Sequence, residues 1–271
     1  VLGRYLTWSF YFGEDWLREQ FGMLFPTVGS ELAAAAWLGH LRNDHPAGDL
    51  VELLQPHYVF HIQSLERGQP PPGFEETGRR LAEYLMVLFL LEKLPDDLLQ
   101  LFWSAAPASV RRHAMWFMGR EMIPGKEYRT RAMAYWDARL RCAIQATDPD
   151  RFRNELGTVG QFFLWDIDPV WLLDQLLIMA HAGFAPNDAI GVVDGLAKLV
   201  PEHIDKVIEV TNVLVRLPKV EAWIFAAQQQ SLREILVEGK RSATPKTVST
   251  ATDIVSYLAS RGNPSFLDLD D

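Results

Sequence analysis

Prolines open one apolar, helix-patterned segment after another: Pro95, Pro107, Pro149, Pro169, Pro186, Pro201, Pro218 and Pro245. Proline is favoured at the first helical position, where its missing N–H would have no partner in any case. This punctuation predicts serial helices joined by short corners, and hence an all-α chain: an array of antiparallel helical hairpins, an α-solenoid or a related arrangement. Stacked hairpins expose long surfaces to partners and carry no chemistry of their own.

The spacing fixes where the helices should lie. Trp16, Leu17, Gln20, Phe21 and Leu24 recur at helical intervals, predicting a first helix over 14–24 that Pro26 ends. Ser30 is a good N-cap for a second helix to about Leu41, and a third is expected over 49–66, interrupted near Pro56. Arg67-Gly-Gln-Pro-Pro-Pro-Gly73 reads as an extended loop. The expected organisation is therefore an N-terminal helical subdomain (1–66), a Pro-rich linker (67–74) and a helical-repeat region (75–271).

In that third region helices are expected near 75–93, 95–105, 107–122, 126–146, 149–165, 169–182, 187–199, 201–216, 218–238 and 246–261. The proline-marked starts from 149 onward lie 20, 17, 15, 17 and 27 residues apart, so a helical pair takes 32 to 37 residues before the last step. That period overlaps the roughly 34 to 47 residues of common helical repeat units. Residues 207–215 are β-branched enough for a strand, yet their apolar positions also fit a helix, and the neighbouring helices favour the latter. Gly262 is the expected C-cap of the last helix, ahead of an acidic tail, 267–271.

Cys142 is the only cysteine, which excludes an intramolecular disulfide framework and a zinc site built from cysteines alone, and fits a reducing cytoplasm. The apolar run 85–91 is flanked by charge at Glu83, Glu92 and Lys93 and falls far short of a membrane span. The opening residues, from Val1 to Phe12, lack the basic start and cleavage site of a signal peptide. They are also too apolar for a free terminus, so the chain is expected to be a segment of a longer protein.

Charge is unevenly spread. Between Ala108 and Arg153 ten Lys and Arg face five acids, a balance of +5 that leaves −14 for the rest of a chain whose net charge is −9. Within this belt Arg111, Arg112, Tyr128, Arg129, Arg131, Tyr135 and Arg139 interleave cations with aromatics, a mixture suited to an acidic partner or to phosphates and stacked bases. Pairing with Glu121, Glu127 and Asp137 would instead give an ordinary salt-bridged surface. Trp103, Trp116, Phe117, Phe162 and Trp171 recur at core spacing, and any exposed subset would offer partner anchors.

The stretch Ser109-Val-Arg-Arg-His-Ala-Met-Trp-Phe-Met-Gly119 resembles the first helix of a HEAT-like repeat, with its small first residue, Val-Arg pair and Ala/aliphatic face. Asp168-Pro-Val-Trp-Leu-Leu173 and Val200-Pro-Glu-His-Ile204 are similar in style to other repeat starts. The ending Tyr257-Leu-Ala-Ser-Arg-Gly-Asn-Pro-Ser-Phe-Leu-Asp268 resembles the close of C-terminal helical regions in large bacterial multidomain proteins, including nucleotide-driven or sirtuin-linked defence proteins. The resemblance implies a sensor or assembly region and carries over no catalytic residue.

Few residues invite chemistry. His57 and His61 lie four apart, which puts both imidazoles on one helical face at metal-ligand spacing, with Asp44, His45, Asp49, Glu52 or Glu66 as a third ligand. The intervening Tyr58-Val-Phe60 lacks the Glu of a zinc-protease helix. Gly157-Thr-Val-Gly160 lacks the Lys and hydroxyl of a phosphate-binding loop, and Cys142 has no His beside it in sequence. The expected function is thus a non-enzymatic protein-interaction or sensor module, cytoplasmic and without cofactor or membrane contact, whose partner is a protein or other domains of the same polypeptide. Nucleic-acid or other anion binding through the basic segment is the alternative, followed by a metal-dependent helical enzyme using His57 and His61.

Overall fold

A computed structural model describes residues 2–42, 46–66, 76–120, 125–164, 166–218 and 229–269. Among them every regular element is helical and no strand occurs. The expected Pro-rich linker, Asp44, His45, Trp165 and the first half of the expected 218–238 helix lie outside the described residues. The chain divides into two compact units, residues 1–132 and 133–271, and the division falls inside the stretch expected as one repeat region.

Unit 1 opens with a 3-10 turn, Leu2–Tyr5, followed by α1 (Leu6–Phe12), α2 (Glu14–Leu24) and α3 (Glu31–Leu41). The Ser30 hydroxyl accepts the Ala33 N–H and starts α3 as a side-chain cap should. Then come α4 (Val51–Glu66), α5 (Thr77–Leu90), α6 (Asp96–Ala105) and α7 (Ala108–Arg120), with α4 packed on α6 and α5 on α3 and α7. Pro56 sits inside α4 without ending it. Trp37, Tyr58, Leu85, Phe102 and Met115 form the interior.

The opening turn lies directly on α3. A methyl group added at Gly3 would stand 1.8 Å from the Ala36 carbonyl oxygen, a backbone atom that cannot swing aside. Gly3→Ala should therefore lift residues 2–12 from α3 at a cost of about 1–3 kcal/mol, the range for overpacking a fitted contact. Faster amide exchange across α1, with α5 and α7 unchanged, is the expected result.

α8 (Lys126–Gln145) carries the chain from unit 1 into unit 2. The expected 149–165 helix is instead a composite: a 3-10 turn (Pro149–Phe152), a single α turn, α9 (Arg153–Leu156), and a 3-10 strip (Gly157–Leu164). The Asn187 N–H donates to the Gly157 carbonyl at 2.7 Å, taking an acceptor that a continuous α-helix would use, and a methyl group at Gly157 would meet the Asn187 side chain at 2.4 Å. Proline marks the first turn of α10 (Pro169–His181) and of the final helix, as expected. The two helices expected at 187–199 and 201–216 follow one another without a loop as α11 (Ala189–Leu214), with a kink between them just after Pro201: His203 leaves the helical region with φ −132° and ψ 29°.

Unit 2 closes with α12 (Gln229–Lys240), α13 (Pro245–Ser260) and a 3-10 segment, Pro264–Leu269. Gly262, at φ +84°, makes the turn after α13. The acidic tail is docked as far as it is described: Phe266 is fully buried, the Arg233 guanidinium pairs with the Asp268 carboxylate, and the Lys240 ammonium donates to the Leu269 carbonyl.

Candidate functional site

The belt residues fall in both units, and several of their charges serve the fold. Arg111 is buried, and its Nη1 donates to the Ala106 carbonyl at 2.5 Å, satisfying an orphan acceptor at the end of α6. Arg131 does the same for α5, donating to the Leu90 carbonyl while pairing with Glu92 at 2.7 Å. In unit 2 Arg139 pairs with the buried Glu155 carboxylate and lies 4.8 Å over the Phe152 ring. Arg153, also inside the basic segment, donates to the Gly183 carbonyl just beyond α10. Tyr128, Arg129 and Tyr135 are half-buried, while Arg112 is exposed. Arg111, Arg131, Arg139 and Arg153, four of the ten belt cations, thus answer helix carbonyls or a buried acid.

The histidine pair is part of an aromatic nest. His61 stacks on the Trp37 indole at 4.7 Å and 3°, and His57 meets Trp37 at 6.3 Å and Phe25 at 5.0 Å. His40, also buried, sits 4.8 Å from the Tyr84 ring and 3.5 Å, Nε2 to Oη, from Tyr58. Burial, aided by the neighbouring His57, pushes His40 down to about 3 and His61 to about 4; burial lowers His57 as well. The same desolvation raises the phenols of Tyr58 and Tyr84. Among the described residues no three His, Cys, Asp or Glu side chains come together as metal ligands. Helical spacing does bring His57 and His61 to one side of α4, but what they meet there is an indole.

Elsewhere in unit 1, His113 approaches Glu83 at 2.8 Å and stacks on Trp116 at 5.3 Å. Burial favours the neutral Glu83 carboxyl, but the His113 and Arg80 contacts outweigh it and hold the group below the ordinary glutamate value. The pair ties α5 to α7. Unit 2 holds a cleft of about 500 Å³ lined by His181, Lys206, Glu209, Asn212, Lys246 and Thr250, with Asp205 at its edge. Two of its charges are answered internally. Lys206 pairs with Asp174 at 2.5 Å, and Asp205 accepts from Thr247, Thr244 and Ser242 at 2.6, 2.9 and 3.1 Å. Those three hydroxyls hold Asp205 below the usual aspartate range and anchor the turn that begins α13.

No family model, curated protein or solved structure matches this chain. What it can do must be read from its own surface.

The least compensated surface lies in unit 1, on α1. Leu6, Thr7 and Phe10 of this seven-residue helix are buried, yet its other side is aromatic too: Tyr5, Trp8, Tyr11 and Phe12 are 53%, 56%, 65% and 84% exposed. Trp8 and Phe12 stack at 6.0 Å, and beyond the bend at Gly13 comes Trp16, 52% exposed. Large aromatic side chains grouped on a surface mark a candidate contact site. Sequence reading passed over these residues and expected anchors among the later tryptophans, of which Trp103 and Trp136 are buried and Trp116 and Trp171 partly so. The available signal was the interval Tyr5, Trp8, Phe12, a second apolar stripe beside Leu6 and Phe10.

Proposed function

We propose that this chain is a non-enzymatic, HEAT-like helical module of the cytoplasm that binds a protein partner, and that its anchor is the aromatic ridge Tyr5, Trp8, Tyr11 and Phe12. The observation that carries this reading is the exposure of Trp8, Tyr11 and Phe12 on a helix whose opposite side is already buried, with exposed Tyr5 just before it. Tryptophan and tyrosine dominate the energetics of protein interfaces, because they bring a large apolar area and a polar tip at little entropic loss. Residues 5–12 carry no charge, so burying them desolvates no ion. The packing of α4 on α6 and of α5 on α7 is consistent with a repeat array.

Site-specific photo-crosslinking tests the reading. A crosslinking residue at position 12 in the full chain should capture protein in discrete adducts, whereas the same residue at position 112, exposed on α7, should capture none above background. The absence of any protein adduct at position 12 would refute the proposal.

A further inference from the structure

We infer that the ridge pairs two copies of this chain, Tyr5, Trp8, Tyr11, Phe12 and Trp16 of each meeting the same residues of the other across a two-fold axis. The inference rests on the partner-binding reading of the ridge and names the partner. Three observations select a second copy over another occupant.

The first is area. Aromatic side chains present about 150–250 Å² each, so five at the exposures given above offer roughly 470–780 Å². Two copies would bury about 930–1,550 Å² in all, a range that spans the lower edge of a standard interface.

The second is charge. At net −9, two copies repel over most of their surface, and the contact must fall where charge is absent; residues 5–12 supply that patch.

The third is the order of charges along the ridge. Exposed Arg4 precedes it and exposed Asp15 follows it, with Arg18 already engaged by Glu14 at 2.8 Å. With the two-fold axis perpendicular to α1, α1 of one copy runs antiparallel to α1 of the other, and the Arg4 end of each ridge meets the Asp15 end of its mate. An isologous contact needs this self-complementarity.

Sedimentation equilibrium of the full chain between 1 and 200 µM tests the inference. The unaltered chain should dimerise within that range, and the variant carrying Trp8→Asp and Phe12→Asp should weaken the dimer at least 100-fold. Arg4→Asp alone should weaken it about 5- to 10-fold, and adding Asp15→Arg should restore it. That restoration reports geometry even if the ridge variant fails to fold, which far-UV circular dichroism detects. A monomer throughout the range overturns the inference, as does a dimer untouched by the aspartates or a charge swap without rescue. The crosslink at position 12 separates this failure from that of the parent reading. An adduct twice the mass of the chain supports both, an adduct with a different protein keeps the ridge as anchor and overturns self-pairing, and no protein adduct overturns both. Sedimentation of a monomeric chain with phosphatidylcholine vesicles would likewise overturn pairing by assigning the ridge to lipid.

Discussion

Replacing Arg139 with methionine should lower the unfolding free energy by about 3–5 kcal/mol, the range for stranding one partner of a buried ion pair. Glu155 is 1% exposed in α9, and the Arg139 guanidinium answers its carboxylate from α8. The guanidinium offsets the cost of desolvating that carboxylate. The double variant Arg139→Met with Glu155→Leu removes both charges and fills the space with hydrocarbon, so it should regain most of the loss. Urea midpoints of the three proteins, followed by far-UV circular dichroism, decide the matter. Equal midpoints for the wild type and Arg139→Met would show that the pair contributes nothing, and no recovery in the double variant would show that packing, rather than charge, was lost. The same measurement separates two roles for an arginine that sequence reasoning placed in an anion-binding belt: a ligand-binding arginine would leave the midpoint in place.

Acid should loosen unit 1 well before general carboxylate protonation. His40 titrates near 3 and His61 near 4 in the folded chain, against about 6.5 when unfolded, and burial lowers His57 too. The unfolded chain therefore binds more protons than the folded one between these limits, and stability falls as pH falls below about 6.5. Each fully buried histidine contributes a slope of about 1.4 kcal/mol per pH unit once pH is below its unfolded value, so His40 alone accounts for about 2–3 kcal/mol between pH 6.5 and 4.5. Buried Nδ1 atoms of His40 and His57 have no hydrogen-bond partner among the described residues, so protonation would add a donor where nothing accepts it. Urea midpoints measured across this range should decline in the wild type and decline less in His40→Phe. A level profile from pH 6.5 to 4.5 would disprove the account.

Local rules made the helix starts legible. Pro169 and Pro245 open their helices, Ser30 caps α3, and Gly262 takes the left-handed turn, all by chemistry confined to a few consecutive residues. Legibility failed where a distant neighbour decided the outcome. Gly157 and Asn187 are 30 positions apart, yet their approach is part of why 149–165 is wound as a composite rather than as one α-helix. The partners of the belt arginines were hidden for the same reason. The carbonyl that Arg131 answers belongs to Leu90, 41 residues earlier, and no spacing rule marks a carbonyl as an acceptor in waiting. The ridge needed one further fact, that α1 turns Leu6 and Phe10 inward and so leaves Trp8 and Phe12 outside.

The kink in α11 has a mechanical meaning for unit 2. Pro201 contributes no N–H to the helical ladder, so the rods before and after it are coupled by fewer bonds than a continuous helix would supply. The leading rod sits against the 157–164 strip, where Gly160 faces Val192 and Gly195 admits the Phe163 ring. The trailing rod is clamped at its far side, through Ile208 against Gly239 and through Asp205 to the hydroxyls that begin α13. The two halves of α11 are thus held by different neighbours, the first by the 157–164 strip and the second by α12 and the start of α13, with His203 between them.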